Sequence, residues 1–176
     1  ALSLPLPCGR ATLIDCGDLD VVKRYVNWFA YCPKGVWYAA AKEARTRGTV
    51  IMHRLIMGDP TGADVDHING DGLDNRRSNL RACTHQQNTW NARPRGGRAF
   101  KGTVFGSGRW RAGISPNGRR IYLGGYDTQE HAAAAYNVAA ARLYGEFAWL
   151  NAVSAAPADV VAYVEHKIAI VRGRRT

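Results

Sequence analysis

The sequence predicts an α+β protein built from two small modules. Short apolar, β-rich segments alternate with turns rich in Gly, Asn and Asp over most of the chain, and two helical patterns follow near its end. The length of 176 residues is enough for one ordinary domain or two small ones. With 46% apolar and 22% charged residues, the composition is typical of a globular chain rather than a disordered one.

The net charge is strongly positive and unevenly distributed. Twenty-four Lys and Arg residues against 14 Asp and Glu residues give +10. Residues 1–92 carry a net +2, residues 93–151 a net +6 and residues 152–176 a net +2. This excess favours a polyanionic partner over an acidic protein or an apolar ligand. Residues 93–98 contain one Pro, two Gly and three Arg, which predicts a basic linker whose Arg95 and Arg98 can lie along phosphates.

The four cysteines form no metal-binding pattern. They stand at positions 8, 16, 32 and 83 without a CxxC pair, and no His pair has zinc-finger spacing, so we expect no structural zinc. We expect reduced, half-buried thiols instead. No apolar run approaches the ~20 residues of a membrane span, and the opening residues lack the basic start of a signal peptide. A cytoplasmic protein without a membrane partner is therefore expected.

The first 60 residues predict a β-rich extension. Residues 36–39 and 49–52 are apolar and β-rich, with a polar stretch between them. The segment 39–47 contains the run AAAKEA, which suits a helix as well as a strand, so both remain open there.

A strand–loop–strand–helix order is predicted for the next segment. Residues 64–68 alternate like a strand, residues 69–75 are dense in turn formers, and residues 80–83 can return as a second strand. Thr84 precedes Gln87 by three positions, which is the capping-box pattern at a helix start. The helix that follows would place Asn88 across the first strand.

Asp66 and Asn88 are candidate metal ligands in this arrangement. A carboxylate and an amide carbonyl are hard oxygen ligands that suit Mg²⁺ or Mn²⁺ rather than zinc. His67 should point to the opposite side of the strand, where it can take a proton from water near neutral pH. A local capping arrangement is the alternative for an Asp-His pair. An EF-hand is excluded, because the sixth loop position is Asp74 instead of Gly and the twelfth is Leu80 instead of Glu.

The run DHINGDGLDNRRSNLR, with QQN after it, resembles the HNH endonucleases and specifically their phage and intron homing branch. The resemblance is close over residues 65–88 and loose over the preceding 50. It implies a ββα-metal fold in which Asp66 and Asn88 bind the metal and His67 is the general base. Asn79 would brace the loop and orient the histidine. Because Asn stands where some members have a third His, the resemblance implies a weaker, Mg²⁺-type site.

Other polar residues near the motif are also candidates. Three arginines are predicted to contact phosphate, with a solvated loop as the alternative: Arg76, Arg77 and Arg81. His85 could touch a phosphate, and the remaining histidines are interpreted as structural: His53, His131 and His166.

After the linker, three short strands and a helix are predicted. The strands cover residues 102–105, 110–114 and 119–123, with Gly-containing turns between them. Asp127 with Glu130 can start the helix, and Gly145 ends it. One helix face is apolar: Ala132, Ala135, Tyr136, Ala139 and Leu143. A second helix is predicted from Pro157 and ends in a basic tail.

These segments resemble the AP2 DNA-binding domain over residues 99–151. The matching runs are KGTV, GRWRAGI, NGRRIYLGGY and HAAAAYNVAA, with GEFAWLN as the usual ending. The resemblance implies a three-stranded sheet that lies in the major groove, with one helix behind it. The implied DNA-facing residues are Arg109, Trp110, Arg111, Arg119, Arg120 and Tyr122.

Two departures from that family limit the transfer. Ser115 stands where plant members often have another Arg, and the first hairpin is one residue shorter, so base specificity does not carry over. Trp110 and Tyr122 could instead belong to the core. Since strand neighbours face opposite ways, Arg120 is predicted to face the groove in step with Tyr122, and Arg119 to face elsewhere.

Together these features predict a metal-dependent endonuclease that cuts double-stranded DNA. Residues 1–92 would form the HNH nuclease domain with its β-rich extension, 93–98 the linker, 99–151 the AP2-like domain, and 152–176 the C-terminal helix and basic tail. By analogy the protein is a free-standing, phage-type homing enzyme in a host cytoplasm. The alternatives are a non-cleaving DNA-binding regulator that keeps the HNH fold as a scaffold and, third, an RNA-binding protein.

Overall fold

The computed structural model describes residues 1–43 and 47–173, and it divides into two compact units. Unit 1 is Ala1–Asn91 and unit 2 is Ala92–Thr176. Each unit combines small antiparallel sheets with helices, which confirms the prediction of mixed α and β structure.

Unit 1 begins with a hairpin and a short helix. Strand β1 (Leu2–Leu6) pairs antiparallel with β2 (Arg10–Ile14), and α1 (Leu19–Val22) follows. The hairpin turn places Cys8 and Gly9 in the left-handed region, at φ 82° and 72°. In β2 the side chains of Thr12 and Ile14 are buried while their neighbours are exposed, so alternate residues of this strand enter the core.

A three-stranded antiparallel sheet follows, with its second strand in the middle. The strands are β3 (Phe29–Tyr31), β4 (Tyr38–Lys42) and β5 (Thr49–Ile51). The open segment 39–47 is thus partly strand, and its residues 44–46 lie outside the described residues. The strand predicted at 49–52 ends one residue early, because Met52 begins α2 (Met52–Ile56) and turns its side chain into the core.

The strand–loop–strand–helix order is confirmed. Strand β6 (Asp64–His67) pairs antiparallel with β7 (Leu80–Cys83), and α3 (His85–Asn91) follows directly. The capping box is present: the Gln87 backbone N–H donates to Thr84 Oγ1 at 3.2 Å, and the Thr84 N–H donates to Gln87 Oε1 at 2.8 Å. This cap fixes where the helix begins, and hence which of its residues face β6.

Unit 2 is a three-stranded antiparallel sheet with two helices. Strands β8 (Thr103–Gly106), β9 (Arg109–Ile114) and β10 (Ile121–Tyr126) lie with β9 in the middle. Helix α4 (Gln129–Tyr144) packs on the sheet, and α5 (Ala158–Gly173) packs on α4 and β10. The third strand begins at 121 rather than at 119, because residues 116–118 form a tight turn in which the Arg119 N–H donates to Pro116 O at 3.2 Å.

The start of α4 differs from the prediction. Its N-cap is Thr128, whose Oγ1 accepts from the His131 N–H at 3.2 Å. The predicted start box on Asp127 is therefore wrong, and the Asp127 carboxylate instead lies 3.0 Å from the guanidinium of Arg109. The helix ends before Gly145, which has φ 55°, as the sequence predicted.

The cysteines also differ from expectation. Cys8, Cys16 and Cys32 are exposed rather than half-buried, because they lie in or beside turns, and Cys83 is buried in β7. Within the described ranges, no helix has the length and apolar character needed to cross a bilayer.

Candidate active site and nucleic-acid interface

Strand β6 places its polar side chains on two opposite faces. Asp64 and Asp66 point to the side where α3 packs, and His67 points away from it, because side chains alternate along a strand. Asp66 and His67 are only 6% and 5% exposed. The adjacent residues Asp66 and His67 thus place a carboxylate and an imidazole on opposite faces of one strand, as alternation predicted.

Helix α3 brings two asparagines to the acidic face of β6. Asn88 Nδ2 donates to Asp64 Oδ2 at 3.0 Å, and His85 Nδ1 lies 3.0 Å from the same oxygen. Three residues further along the helix, Asn91 Nδ2 lies 3.0 Å from both carboxylate oxygens of Asp66. The Asn88 hydrogen bond is the main cause that lowers the pKa of Asp64. The sequence prediction missed Asn91, although its spacing of three from Asn88 was a usable signal.

Asp66 also forms a buried ion pair with Arg81. The two residues lie directly opposite each other in the β6–β7 ladder, and Arg81 Nε and NH2 donate to Asp66 Oδ2 at 2.9 and 2.7 Å. The side chains are 11% and 7% exposed. Removing one partner of such a pair leaves an uncompensated buried charge. Arg81, expected at a phosphate, is therefore a partner of the predicted metal ligand.

The other two arginines expected at phosphate are also paired within the protein. Arg76 Nε and NH2 donate to the Asp74 carboxylate, each at 2.7 Å, and this lowers the pKa of Asp74. Arg77 NH2 donates to Asp18 Oδ1 at 2.7 Å and to Ile56 O at 2.9 Å. Their guanidinium groups therefore organise the loop. Sequence spacing gave no signal for Asp18, since it lies 59 residues away from Arg77.

On the other face of β6, His67 packs against two further rings. Its centroid lies 4.7 Å from that of His53, edge to face, and 5.9 Å from that of Tyr38. Burial lowers the pKa of His67, although the hydrogen bond to Asn75 opposes this. Burial also lowers the pKa of His53 to about 3. Both rings are therefore neutral at pH 7, which is the form of His67 that can accept a proton.

Asn79 and Asn75 divide the role that was expected of Asn79. The Asn69 N–H donates to Asn79 Oδ1 at 3.0 Å, and Asn79 Nδ2 donates to Asn69 Oδ1 at 3.0 Å and to Asp74 O at 2.8 Å, so this residue braces the loop. The side chain that contacts His67 is Asn75, with Oδ1 3.1 Å from His67 Nε2. Nothing in a loop of similar residues distinguished Asn75 in the sequence.

The acidic face fits a hard divalent cation by its donor chemistry. Asp64 and Asp66 supply carboxylate oxygens, and Asn88, which donates through Nδ2, supplies its amide oxygen. Within the described residues, Asp66 Oδ2 accepts from both Arg81 and Asn91, whereas Oδ1 accepts from Asn91. Oδ1 therefore accepts fewer hydrogen bonds from the described residues than Oδ2 does. Across the same residues, no three His, Cys, Asp or Glu side chains cluster closely enough to hold a metal ion.

Unit 2 exposes arginines on the sheet face that is not covered by α4. Arg109 and Arg111 alternate along β9 on the exposed face, and Tyr122 of β10 is paired with Gly113 on that face. The Arg120 guanidinium lies over Gly113, so that a Cβ there would be 3.1 Å from Arg120 Nε. Arg120 and Tyr122 thus share this face, although both Arg119 and Arg120 precede the strand and are exposed. Arg95 and Arg98, which lie in the segment predicted to be a linker, are exposed.

Trp110 lies on the opposite face from those arginines. It shares its side of β9 with the buried residues Ala112 and Ile114, and its ring contacts Phe105 edge to face at 5.2 Å. The grouping of Trp110 with the DNA-facing residues is corrected accordingly, because strand alternation puts its side chain beneath the sheet.

Comparison with known proteins identifies the segment that carries the candidate active site. Residues 52–90 match the family model described as HNH endonuclease. A protein of Acanthamoeba polyphaga mimivirus, described as an uncharacterized HNH endonuclease, is 36% identical over 113 residues. That alignment covers 60% of this chain and 59% of the relative, so the chain spans about three fifths of the relative's length. The resemblance to HNH endonucleases is confirmed over 52–90, a range that also includes α2 and His53.

Proposed function

We propose that this chain is a divalent-metal-dependent endonuclease that hydrolyses phosphodiester bonds in duplex DNA, of the free-standing homing type. The observation that carries the proposal lies within the segment that matches the HNH endonucleases. There, one strand has a buried, neutral His67 on one side and the oxygen donors Asp64 and Asp66 on the other. A base and a cation-binding group on opposite sides of one strand can act on an attacking water and on the phosphate it attacks.

In this mechanism His67 takes the proton from the attacking water. Burial holds its pKa low, so the base form predominates at neutral pH, and Asn75 holds the ring in place. Asp66 and Asn88 would hold Mg²⁺ or Mn²⁺, and the bound ion would supply positive charge to the phosphate and to the leaving oxygen. Water attacks the phosphorus in line and the bond to the 3′-oxygen breaks. The released 3′-oxygen takes a proton from a second water molecule, so the products carry 5′-phosphate and 3′-hydroxyl ends.

Unit 2 binds the duplex in this proposal, as an AP2-like module. Support comes from its architecture of three strands and a helix, from the sequence runs that resemble that family, and from the net +6 of residues 93–151. Arg109, Arg111 and Arg120 can bond guanine edges or phosphates, and Tyr122 can pack on a sugar or a thymine methyl. Three exposed arginines add phosphate contacts: Arg95, Arg98 and Arg119.

One observation favours a second candidate function, a DNA-binding regulator that does not cut. The Asp66 carboxylate accepts hydrogen bonds from Arg81 and Asn91, as a purely structural carboxylate would. In that case the ββα segment serves as a scaffold and the arginine-rich sheet of unit 2 carries the function.

Incubation with supercoiled plasmid separates the two candidates. The nuclease proposal predicts nicked or linear plasmid with Mg²⁺ or Mn²⁺ and intact plasmid with EDTA. A nicked product means that one strand is cut, and a linear product means that both strands are cut. Religation without a kinase step should succeed, since the ends carry 5′-phosphate and 3′-hydroxyl groups. Plasmid that is bound but stays supercoiled with either ion would contradict the nuclease and support the regulator.

A further inference from the structure

We propose that Thr12 and Asn75 are positioning residues that fix the tautomer of His67, so that Nδ1 is its proton-accepting atom. The proposal rests on the proposed nuclease function, because it concerns the general base of that reaction. Thr12 lies in the N-terminal hairpin, 40 residues before Met52, where the match to the HNH endonucleases begins. The N-terminal hairpin therefore contributes a positioning residue to the site.

The Thr12 hydroxyl has a single proton to donate. Thr12 Oγ1 lies 2.8 Å from Leu73 O and 3.8 Å from Met52 Sδ, and neither of these atoms can donate a hydrogen bond. The hydroxyl donates to Leu73 O, the nearer of the two, so its proton is in use. Only the oxygen lone pairs remain for the third neighbour, the carboxamide of Asn75 at 2.7 Å.

The Thr12 hydroxyl sets the orientation of the Asn75 carboxamide. Since Thr12 Oγ1 is an acceptor toward Asn75, the amide must present Nδ2 to it, and its Oδ1 then faces His67 Nε2 at 3.1 Å. Oδ1 carries no hydrogen, so the hydrogen bond requires the proton on Nε2. In a neutral imidazole the other ring nitrogen, Nδ1, then holds the lone pair.

The hydrogen-bond network of Thr12, Asn75 and His67 has little freedom to rearrange. Thr12 and Asn75 are both 0% exposed, so bulk water cannot replace a lost partner. The backbone holds the two segments together: the Leu13 N–H donates to Leu73 O at 2.8 Å, and the Asn75 N–H donates to Leu13 O at 2.8 Å. A rotated amide would turn Nδ2 toward His67 and Oδ1 toward Thr12, and the hydroxyl would then have to give up its hydrogen bond to Leu73 O in order to donate to Oδ1.

The wild-type protein tests the tautomer directly. In metal-free protein labelled with ¹⁵N-histidine, above pH 7, the Nε2 of His67 should show the chemical shift of a protonated nitrogen and Nδ1 that of an unprotonated one. His67→Gln identifies the signals by their loss. The opposite pattern overturns the proposal whether or not the protein cuts DNA.

Two substitutions at one position test the role of the hydroxyl. Thr12→Val keeps the side-chain shape and should shift both nitrogen signals of His67 toward averaged values. It should also lower the single-turnover cutting rate at least about 10-fold, within the ~10⁴-fold loss that a wrong tautomer causes in a Ser-His-Asp triad. Thr12→Ser should restore both. The matched control, Thr103→Val, removes a buried hydroxyl in unit 2 and should leave the His67 signals unchanged.

The outcomes for the two proposals can be distinguished. If the wild type does not cut but shows the Nε2–H tautomer and responds to Thr12→Val, the positioning role stands and the nuclease function falls. If it cuts and folded Thr12→Val keeps the wild-type signals and rate, the positioning role falls and the nuclease function stands.

Discussion

Arginine has different surroundings in the two units. Arg81 of unit 1 is 11% exposed and bonds the buried carboxylate of Asp66, whereas Arg109 of unit 2 is 57% exposed and pairs with Asp127, which is 85% exposed. A buried pair is costly to break, while an exposed pair contributes about 0–1 kcal/mol and readily exchanges one partner for another. The same residue type thus joins two strands through a buried ion pair in unit 1 and is available to a ligand in unit 2.

This difference teaches that a positive charge alone does not mark a DNA contact. All three arginines of the ββα segment pair with carboxylates of their own unit, those of Asp74, Asp18 and Asp66. Only Arg81 is buried, since the side chains of Arg76 and Arg77 are 40% and 55% exposed. The arginines over the sheet of unit 2 lie on an open face. In our proposal unit 1 carries the chemistry and unit 2 binds DNA, and the following variants test that division.

The largest expected effect is on the cutting rate. His67→Ala should lower the single-turnover rate by ~10² to 10⁴ while DNA affinity stays nearly unchanged, because the side chain is buried and in the proposed mechanism acts on water rather than on DNA. Quenched-flow cutting with a parallel binding titration measures both. His131→Ala, an exposed histidine of unit 2, is the matched control. Wild-type cutting by His67→Ala would remove this residue from the mechanism.

The next effect is on stability and contrasts the two ion pairs directly. Arg81→Ala should lower the free energy of unfolding by about 3–5 kcal/mol, because Asp66 is left buried without its partner. Arg109→Ala should cost less than about 1 kcal/mol. Urea unfolding of both variants gives the comparison, and equal losses would contradict the distinction between the two pairs.

A smaller effect is expected from a single arginine of unit 2. Arg120→Ala should cost about 1–3 kcal/mol of binding on a preferred site and much less on random duplex, if the side chain contacts a base edge. If it only grips phosphate, the loss is the same on both DNAs and the slope of log affinity against log salt falls by about one. Binding titrations at several salt concentrations decide this, and no loss on either DNA would mean that this face does not bind.

A further effect concerns stability against pH. Burial lowers the pKa of His53 to about 3, and within the described residues its buried Nδ1 has no hydrogen-bond partner. Between pH 6.5 and 3 the unfolded chain binds a proton at His53 that the folded protein does not, so stability falls as pH falls, by up to about 1.4 kcal/mol per pH unit. His53→Phe should reduce that slope. Unfolding measured between pH 5 and 7 tests it, and identical slopes would refute the account of His53.

Local pattern was enough to predict much of the fold. The capping pair Thr84 and Gln87, the strand at residues 80–83 and the end of α4 at Gly145 depend on residues close in sequence. The prediction of a helix start was wrong where a neighbouring residue made the better N-cap. Thr128 caps α4 because its hydroxyl reaches the His131 N–H, which left Asp127 to pair with Arg109.

The candidate site was predictable only where it follows one strand and one helix. Alternation along β6 separates Asp66 from His67, and helix spacing brings Asn88 to the acidic face. The partners that set their chemistry come from distant segments, however. Thr12 meets Asn75 across 63 positions, and His53 meets His67 from α2. Such contacts follow from tertiary packing, which no local spacing encodes.

The central claim is that unit 1 cuts and unit 2 binds, and one crossed measurement tests it most directly. Single-turnover cutting at saturating protein and equilibrium affinity for the same duplex should be measured for His67→Ala and for Arg109→Ala combined with Arg111→Ala. The account predicts that the first variant loses rate and keeps affinity, while the second loses affinity and keeps the rate once saturated. The account would be contradicted if both variants lost both rate and affinity. It would also be contradicted if the two arginine substitutions alone lowered the rate at saturating protein.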